Sequence, residues 1–207
     1  MAIERDSLVH VAAASCYGSV FGIDDQGVCE VGLIGPEVDD YSLRLPLASL
    51  TEIEPAEPDQ LGQVIDQLAL LHLRVRQGIQ VARAFQVFVG RNEDLDLEVW
   101  FASGVGSPHR ALGLDSAQEA ALGRSLRDLG LEAWAWRPTR KAQVADVSLD
   151  TWSWALELIG AGRGLSAFGR GRGPEGLRGL CGLLADWGLP LLWEETPGGQ
   201  GSPIAHG

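Results

Sequence analysis

The chain has almost no lysine and few cysteines. Lys141 is the one lysine among its 16 basic residues. The three cysteines, Cys16, Cys29 and Cys181, are scattered along the chain, with no C-x-x-C pair and no Cys/His cluster at zinc spacing. We therefore expect free thiols in a reducing compartment, and no metal site.

Long apolar runs are also missing. No stretch approaches the roughly 20 apolar residues that a membrane-spanning helix needs. The first residues lack the basic segment and the long apolar segment of a secretory signal peptide. The sequence therefore predicts a cytoplasmic protein with no membrane partner.

The sequence lacks the common catalytic signatures. There is no G-x-S-x-G for a nucleophilic serine, and the four histidines show no i,i+4 pairing that would suggest a metal or a catalytic pair. We predict no catalytic residue and no cofactor, and we favour a protein that is not an enzyme, while leaving that question open.

Negative charge is plentiful and unevenly distributed. The net charge is −12, and residues 1–80 hold 13 acidic but only 4 basic side chains. Such a surface repels the phosphate backbone of nucleic acids and attracts basic proteins, although the charge could equally serve solubility alone. The acidic candidates for a protein interface are Asp24, Asp25, Asp39, Asp40, Glu52 and Glu54.

The hydrophobic pattern predicts an α+β fold with antiparallel sheets and three covering helices. Two hairpins are expected, at about residues 20–34 and 79–101, because apolar runs flank short polar turns. Three amphipathic segments predict helices at about residues 60–77, 117–129 and 174–187. Residues 149–160 fit a strand slightly better than a short helix, because their apolar residues alternate.

A short internal sequence repeat suggests how the chain is organised. Residues 126–131 (LRDLGL) return as residues 184–189 (LADWGL), and in each copy a helical pattern ends at glycine before an apolar stretch. This predicts repeated helix–Gly–strand units, consistent with an internal duplication. We expect an acidic region over residues 1–80, an αβ region over residues 81–195, either separate or continuous with the first, and a flexible tail over residues 196–207.

A segment rich in glycine and arginine, residues 160–173, is the most distinctive local feature. Glycines let main-chain N–H groups approach an anion, and the following helix would add its positive end. The segment lacks a Walker lysine and a complete dinucleotide fingerprint, and a mobile connector is the simpler interpretation. If it does bind a phosphorylated ligand, the candidate residues are Gly162, Arg163, Gly164, Arg170 and Arg172, with His109 and Arg110 across the cleft.

All seven tryptophans lie at or beyond residue 100. Tryptophan is common at interface hot spots, but it also fills cores. Two W-x-W pairs would each project to one face of a strand. They add Trp134, Trp136, Trp152 and Trp154 to the interface candidates.

These features favour a non-enzymatic, acidic, bacterial-type protein-binding module: an immunity protein or inhibitor, a chaperone-like adaptor, or an assembly factor. The expected partner is another protein, basic in character, and self-association is left open. The alternative is an enzyme or sensor that binds a phosphorylated small ligand at residues 160–173. A structural subunit built from duplicated halves is a third hypothesis.

Overall fold

The computed structural model describes residues 3–36, 42–77, 84–104, 107–131, 152–170, 175–190, 194–195 and 201–202. The fold is α+β, as predicted, with most of the described elements being strands. The strands are β1 (Leu8–Val11), β2 (Cys16–Ile23), β3 (Val28–Ile34), β4 (Ser42–Pro46), β5 (Leu50–Glu52), β6 (Glu54–Pro55), β7 (Leu68–Gln77), β8 (Ala84–Arg91), β9 (Leu97–Ser103), β10 (His109–Gly113), β11 (Trp152–Gly160), β12 (Arg163–Arg170), β13 (Glu194–Glu195) and β14 (Gly201–Ser202). The helices are α1 (Leu61–Asp66), α2 (Ser116–Asp128) and α3 (Glu175–Asp186).

Two larger sheets organise the described residues. The first is antiparallel, with strand order β4-β3-β2-β1-β5. The second has the order β10-β9-β8-β7-β11-β12-β6 and is antiparallel except for the parallel pair β12–β6. The chain passes from one sheet to the other between β5 and β6, so the two sheets meet at this linker.

The three helices found among the described residues cover one face of the seven-stranded sheet. Leu71, Leu73 and Val75 of β7 belong to one apolar cluster with helix residues such as Leu122 and Leu180. Leu70, the neighbour of Leu71 on the same strand, belongs to a second cluster on the opposite face of the sheet. There Leu8, Ile34 and Ile53 of the first sheet and its linker pack. The alternation along β7 therefore divides the core between a helical layer and a sheet layer.

The helix predicted over residues 60–77 is wrong beyond Asp66. After α1 the backbone leaves the helical region at Gln67, and residues 68–77 form the central strand β7. A strand buried on both faces carries an almost continuous apolar run, which matches a helical period as readily as a strand period.

The loop predicted over residues 160–173 is wrong for residues 163–170, which form β12. This strand pairs with β11 along its whole length through the two-residue turn Ala161–Gly162. Both turn residues have positive φ, +53° and +72°, as a tight hairpin turn of the primed type requires. The strand predicted over residues 149–160 is confirmed for residues 152–160 by β11, and residues 149–151 lie outside the described residues.

Helix–Gly–strand repetition is not confirmed, although its glycine stops are present. Gly130 and Gly188 both have positive φ just beyond α2 and α3, as expected for helix-terminating glycines. The strand predicted after Gly130 lies outside the described residues except for Leu131, which is not in a strand. After Gly188, residues 189–190 are not in a strand, residues 191–193 lie outside the described residues, and Glu194 begins β13. The tail predicted over residues 196–207 also lies outside the described residues, apart from Gly201–Ser202 in β14.

The division near residue 80 stays a prediction. Strand β7, from the first predicted region, pairs with β8 and β11 of the second. None of the helices in the described ranges is long and apolar enough to cross a membrane.

Candidate functional site

A cleft of about 740 Å³ opens where the two sheets meet, and we call it the acidic cleft. Its walls come from the start of β1, from the β5–β6 linker with the residues after it, and from the start of β12. The residues that line it are Asp6, Ser7, Leu8, Glu52, Ile53, Glu54, Pro55, Ala56, Glu57, Pro58, Arg163, Gly164, Leu165 and Ser166.

The charge of the acidic cleft is strongly one-sided. Four acidic residues, Asp6, Glu52, Glu54 and Glu57, and one basic residue, Arg163, line the cleft, which gives its lining a formal charge of −3. Arg163 already forms an ion pair within the protein, because its Nη2 lies 2.9 Å from Oε2 of Glu54. The cleft therefore offers a surplus of negative charge to a bound molecule.

Asp6 stands out among these carboxylates. Its φ is +69°, an uncommon conformation for a residue with a Cβ. Its Oδ1 is buried and accepts no hydrogen bond from any described residue. An unpaired buried carboxylate oxygen costs free energy in the folded state, and no ligand atom reaches this oxygen without a local rearrangement.

Close packing shapes the floor of the cleft. A Cβ added to Gly164 would lie 2.9 Å from side-chain carbons of both Leu8 and Ile53. The main chain of Ile53 is fixed in turn, since its N–H donates to the carbonyl oxygen of Leu8. Glycine at position 164 thus lets the first sheet and the linker lie directly against β12.

A buried polar cluster lies on the sheet face away from the helices. Nδ1 of His72 lies 3.2 Å from Oε2 of Glu157, and its Nε2 lies 3.0 Å from Oε1 of Gln86. Nη2 of Arg74 lies 2.9 Å from Oε1 of Glu157, and the ring of Phe88 stacks on His72 with centroids 4.2 Å apart. Since His72 and Glu157 are 0% and 1% exposed, a substrate could not reach them, and the cluster is better explained as an element that fixes the pairing of β7 with β8 and β11.

The predicted acidic candidates separate in the structure. Glu52 and Glu54 line the acidic cleft. Asp24 instead closes the β2–β3 turn, where it accepts hydrogen bonds from the main-chain N–H groups of Gln26 and Val28 and pairs with Arg44. Asp25 lies exposed in the same turn, while Asp39 and Asp40 lie outside the described residues.

The predicted phosphate-site residues are not brought together. Arg163 and Gly164 line the acidic cleft, and Gly162 lies in the adjoining turn. His109 and Arg110 belong to β10 at the far edge of the sheet, five strand spacings or about 24 Å from β12. There Arg110 pairs with Glu98 at 2.8 Å. The backbone of Arg170 ends β12, and Arg172 lies outside the described residues.

The predicted tryptophans are only partly described. Trp154 is buried in the main core, where its ring covers Gly169 of the neighbouring strand. Trp152 begins β11, but its side chain is outside the described part of the structure, as are Trp134 and Trp136.

Sequence reasoning missed Asp6, Glu57 and the buried cluster. Asp6 and Glu57 are single acids in an acidic region, and nothing in the sequence shows that the sheet junction brings them beside Glu52. His72 and Glu157 are 85 residues apart, and their pairing depends on the β7–β11 register. Among the described residues, no group of three or more His, Cys, Asp or Glu side chains could hold a metal ion.

Comparisons with known proteins give no match: no family model, no curated protein and no solved structure is similar to this chain.

Proposed function

We propose that this protein is a non-enzymatic binding module that holds a basic segment of a partner protein in the acidic cleft. An immunity protein, a chaperone-like adaptor or an assembly factor would act in this way. The observation that carries the proposal is the cleft itself, which is lined by four acidic residues and one arginine that is already paired.

Charge supports a protein partner rather than a nucleic acid. Carboxylates lining a cleft repel phosphate groups and attract lysine and arginine side chains, which also speeds the encounter of the two proteins. The cavity volume is in the range of sites that hold small molecules or a few residues of a peptide. A basic segment of a larger protein satisfies both the charge and the size.

The phosphorylated-ligand alternative is less well supported by the geometry. Its central cation, Arg163, donates to the main-chain oxygen of Pro55 and pairs with Glu54. A phosphate placed beside it would also face Glu52 and Glu57. We therefore keep the protein-binding role as the proposal.

A charge-neutral cleft variant tests the proposal. The triple variant Asp6→Asn, Glu52→Gln, Glu57→Gln removes three cleft charges and leaves the Arg163–Glu54 pair intact. The matched control is Glu93→Gln, Asp94→Asn, Asp96→Asn, which removes three exposed charges from the β8–β9 turn. Thermal unfolding of both variants establishes that they are folded.

Affinity capture from native lysate, with each tagged variant at low and moderate salt, gives the result. We expect one basic protein to be captured by the wild type and by the control, to be lost from the cleft variant, and to be released as salt rises. Equal capture by both variants would contradict the cleft as the binding site. Self-association alone would contradict a separate partner.

A further inference from the structure

In the described part of the chain, one edge of the seven-stranded sheet is unpaired beside the acidic cleft. Strand β12 pairs with β11 along all eight of its residues, but with β6 only at Arg163 and Gly164. The last main-chain hydrogen bond between β12 and the β6 segment is from the N–H of Ala56 to the carbonyl oxygen of Gly164. Within the described ranges, no strand lies beside residues 165–170 on that side.

The hairpin register shows which main-chain groups face outward. The two-residue turn makes Gly160 and Arg163 the first hydrogen-bonded pair of the hairpin. The main-chain N–H and C=O groups of Arg163 therefore point towards β11. The main-chain groups of Gly164 point away from β11, since its carbonyl oxygen accepts a hydrogen bond from the N–H of Ala56. Since main-chain groups alternate in direction along a strand, those of Ser166 and Phe168 point outward, away from β11.

This edge lacks the usual protection against strand addition. From Gly164 to Gly169 the strand has no charged residue and no proline. At the far edge of the same sheet, β10 has a register irregularity between Arg110 and Leu112, whereas the register of β12 is regular along its whole length. Among the residues that the structure describes, the edge of β12 beyond Gly164 is therefore unpaired and carries none of these protective features.

We propose that the outer edge of β12 binds an extended basic segment of the partner protein as an added β-strand. The proposal rests on the proposed function and names how the partner is held. Ser166 both lines the acidic cleft and points its main chain outward, so a strand on this edge would run into the cleft. Main-chain hydrogen bonds would supply affinity, and alternate basic side chains would meet the carboxylates of Asp6, Glu52 and Glu57.

A synthetic peptide of eight residues that alternates arginine and threonine, with both ends blocked, serves as the probe. We expect it to bind at low salt and to slow hydrogen exchange of the Ser166 and Phe168 amides, as followed by two-dimensional NMR. The amides of Leu165 and Ala167 are an internal control, because they face β11 and are paired before the peptide is added. A peptide that alternates glutamate and threonine should not bind.

Two substitutions at one position separate the main chain from the side chain. Ser166→Pro removes the outward N–H, and proline is tolerated on sheet edges. We expect it to weaken peptide binding about tenfold, in line with the loss of roughly one hydrogen bond. Ser166→Ala keeps the N–H and should bind as the wild type does. If Ser166→Pro is unfolded, the exchange of the Ser166 and Phe168 amides in the wild type decides the question.

Each other outcome is distinct. Salt-sensitive binding that leaves the Ser166 and Phe168 amides unprotected would overturn strand addition but keep the proposed function. Absence of binding by the arginine–threonine peptide would overturn both. Protection of the same two amides without peptide, together with a concentration-dependent dimer, would show that a second copy of this chain occupies the edge and would overturn the proposal.

Discussion

Arg163 and Glu54 form an ion pair, with Nη2 of the arginine 2.9 Å from Oε2 of the glutamate. The pair joins the first residue of β12 to the two-residue strand β6, and so ties the hairpin to the linker between the sheets. Arg163 also donates to the carbonyl oxygen of Pro55. The one arginine of the cleft therefore acts within the protein, and the charge left for a ligand is negative.

Removal of this arginine should strengthen the binding of a basic ligand. Arg163→Gln changes the formal charge of the cleft from −3 to −4. Because the pair is partly exposed, we expect a change of about 0.2–1 kcal/mol, or up to fivefold tighter binding of the arginine–threonine peptide, and a similarly small loss of stability. Fluorescence anisotropy with labelled peptide measures the affinity. Weaker peptide binding would contradict a cation site and would return attention to an anionic ligand.

Glycine content explains why the sequence failed to predict β12. Each described glycine of this hairpin lies where a Cβ would clash with a neighbour or where the turn needs a positive φ. Gly160 lies against the main chain of α1, Gly162 takes positive φ in the turn, and Gly169 lies under the ring of Trp154. The pattern of a flexible loop and the pattern of a tightly packed hairpin are alike in sequence, because both require residues without a Cβ.

Local signals predicted other elements well. The β2–β3 hairpin has a short Asp/Gly turn. Helix α2 is capped at its N-terminus by Asp115, whose side chain accepts a hydrogen bond from the N–H of Gln118. These features depend on residues close together in sequence. The acidic cleft depends on Asp6, Glu52 and Arg163, which only the packing of two sheets brings together, so the sequence predicted Glu52 and Glu54 as acidic candidates but not the site.

Gly160 should tolerate no side chain. A Cβ there would lie 2.1 Å from the carbonyl oxygen of Val64 and 2.7 Å from that of Gln67, and main-chain atoms cannot move aside cheaply. We expect Gly160→Ala to lower the free energy of unfolding by about 3 kcal/mol, at the upper end of overpacking costs. The matched control is Gly22→Ala in β2, where no atom lies within 4 Å of the added Cβ. Urea unfolding of both variants gives the comparison, and similar losses would show that α1 does not lie against Gly160.

The buried carboxylate of Glu157 should contribute more to stability than a carboxylate near the sheet edge. Glu157→Gln removes a charge that lies 2.9 Å from Arg74 and 3.2 Å from His72 at 1% exposure. We expect a loss of about 3 kcal/mol, because the substitution removes a charged acceptor from a position that is 1% exposed. Glu98→Gln is the control: Glu98 is also largely buried, but its partner Arg110 is 61% exposed, so the arginine left behind stays hydrated and the loss should be below about 1 kcal/mol. Equal losses in urea unfolding would contradict a structural role specific to the buried cluster.

Asp24 should make the β2–β3 turn sensitive to acid. Hydrogen bonds from the main chain of Val28 and Gln26, together with Arg44, lower the pKa of this carboxyl below its usual value. A lowered pKa means that the stabilisation is present above about pH 4, the value in the unfolded chain, and is lost as the pH falls through the folded value. Asp24→Asn should therefore melt below the wild type at pH 7, with the difference shrinking towards pH 3. The exposed neighbour Asp25→Asn is the control, and a constant difference for Asp24→Asn across this range would contradict the assignment.

Burial of the Cys181 thiol should make the protein less stable as the pH rises, whereas the effect of Asp24 appears as the pH falls. Burial raises the pKa of its thiol to about 12, against about 8.5 for a free thiol. The folded state thus holds the proton more tightly, so the stabilisation is complete below about pH 8.5 and declines as the pH rises towards 12. Cys181→Ala should lose this part of the alkaline slope in denaturant unfolding measured from pH 7 to 10.

Thiol labelling gives an independent readout of the same burial. Cys16 is partly buried, whereas Cys29 and Cys181 are buried, and all three are free thiols. At pH 8, iodoacetamide should modify Cys16 first, since only a thiolate that solvent reaches can attack. Cys29 and Cys181 should react only as the protein unfolds in urea, with a midpoint that matches the loss of circular dichroism. Rapid labelling of Cys181 in the native protein would contradict the packing of α3 against the core, and with it the helical layer that supports β12 and the acidic cleft.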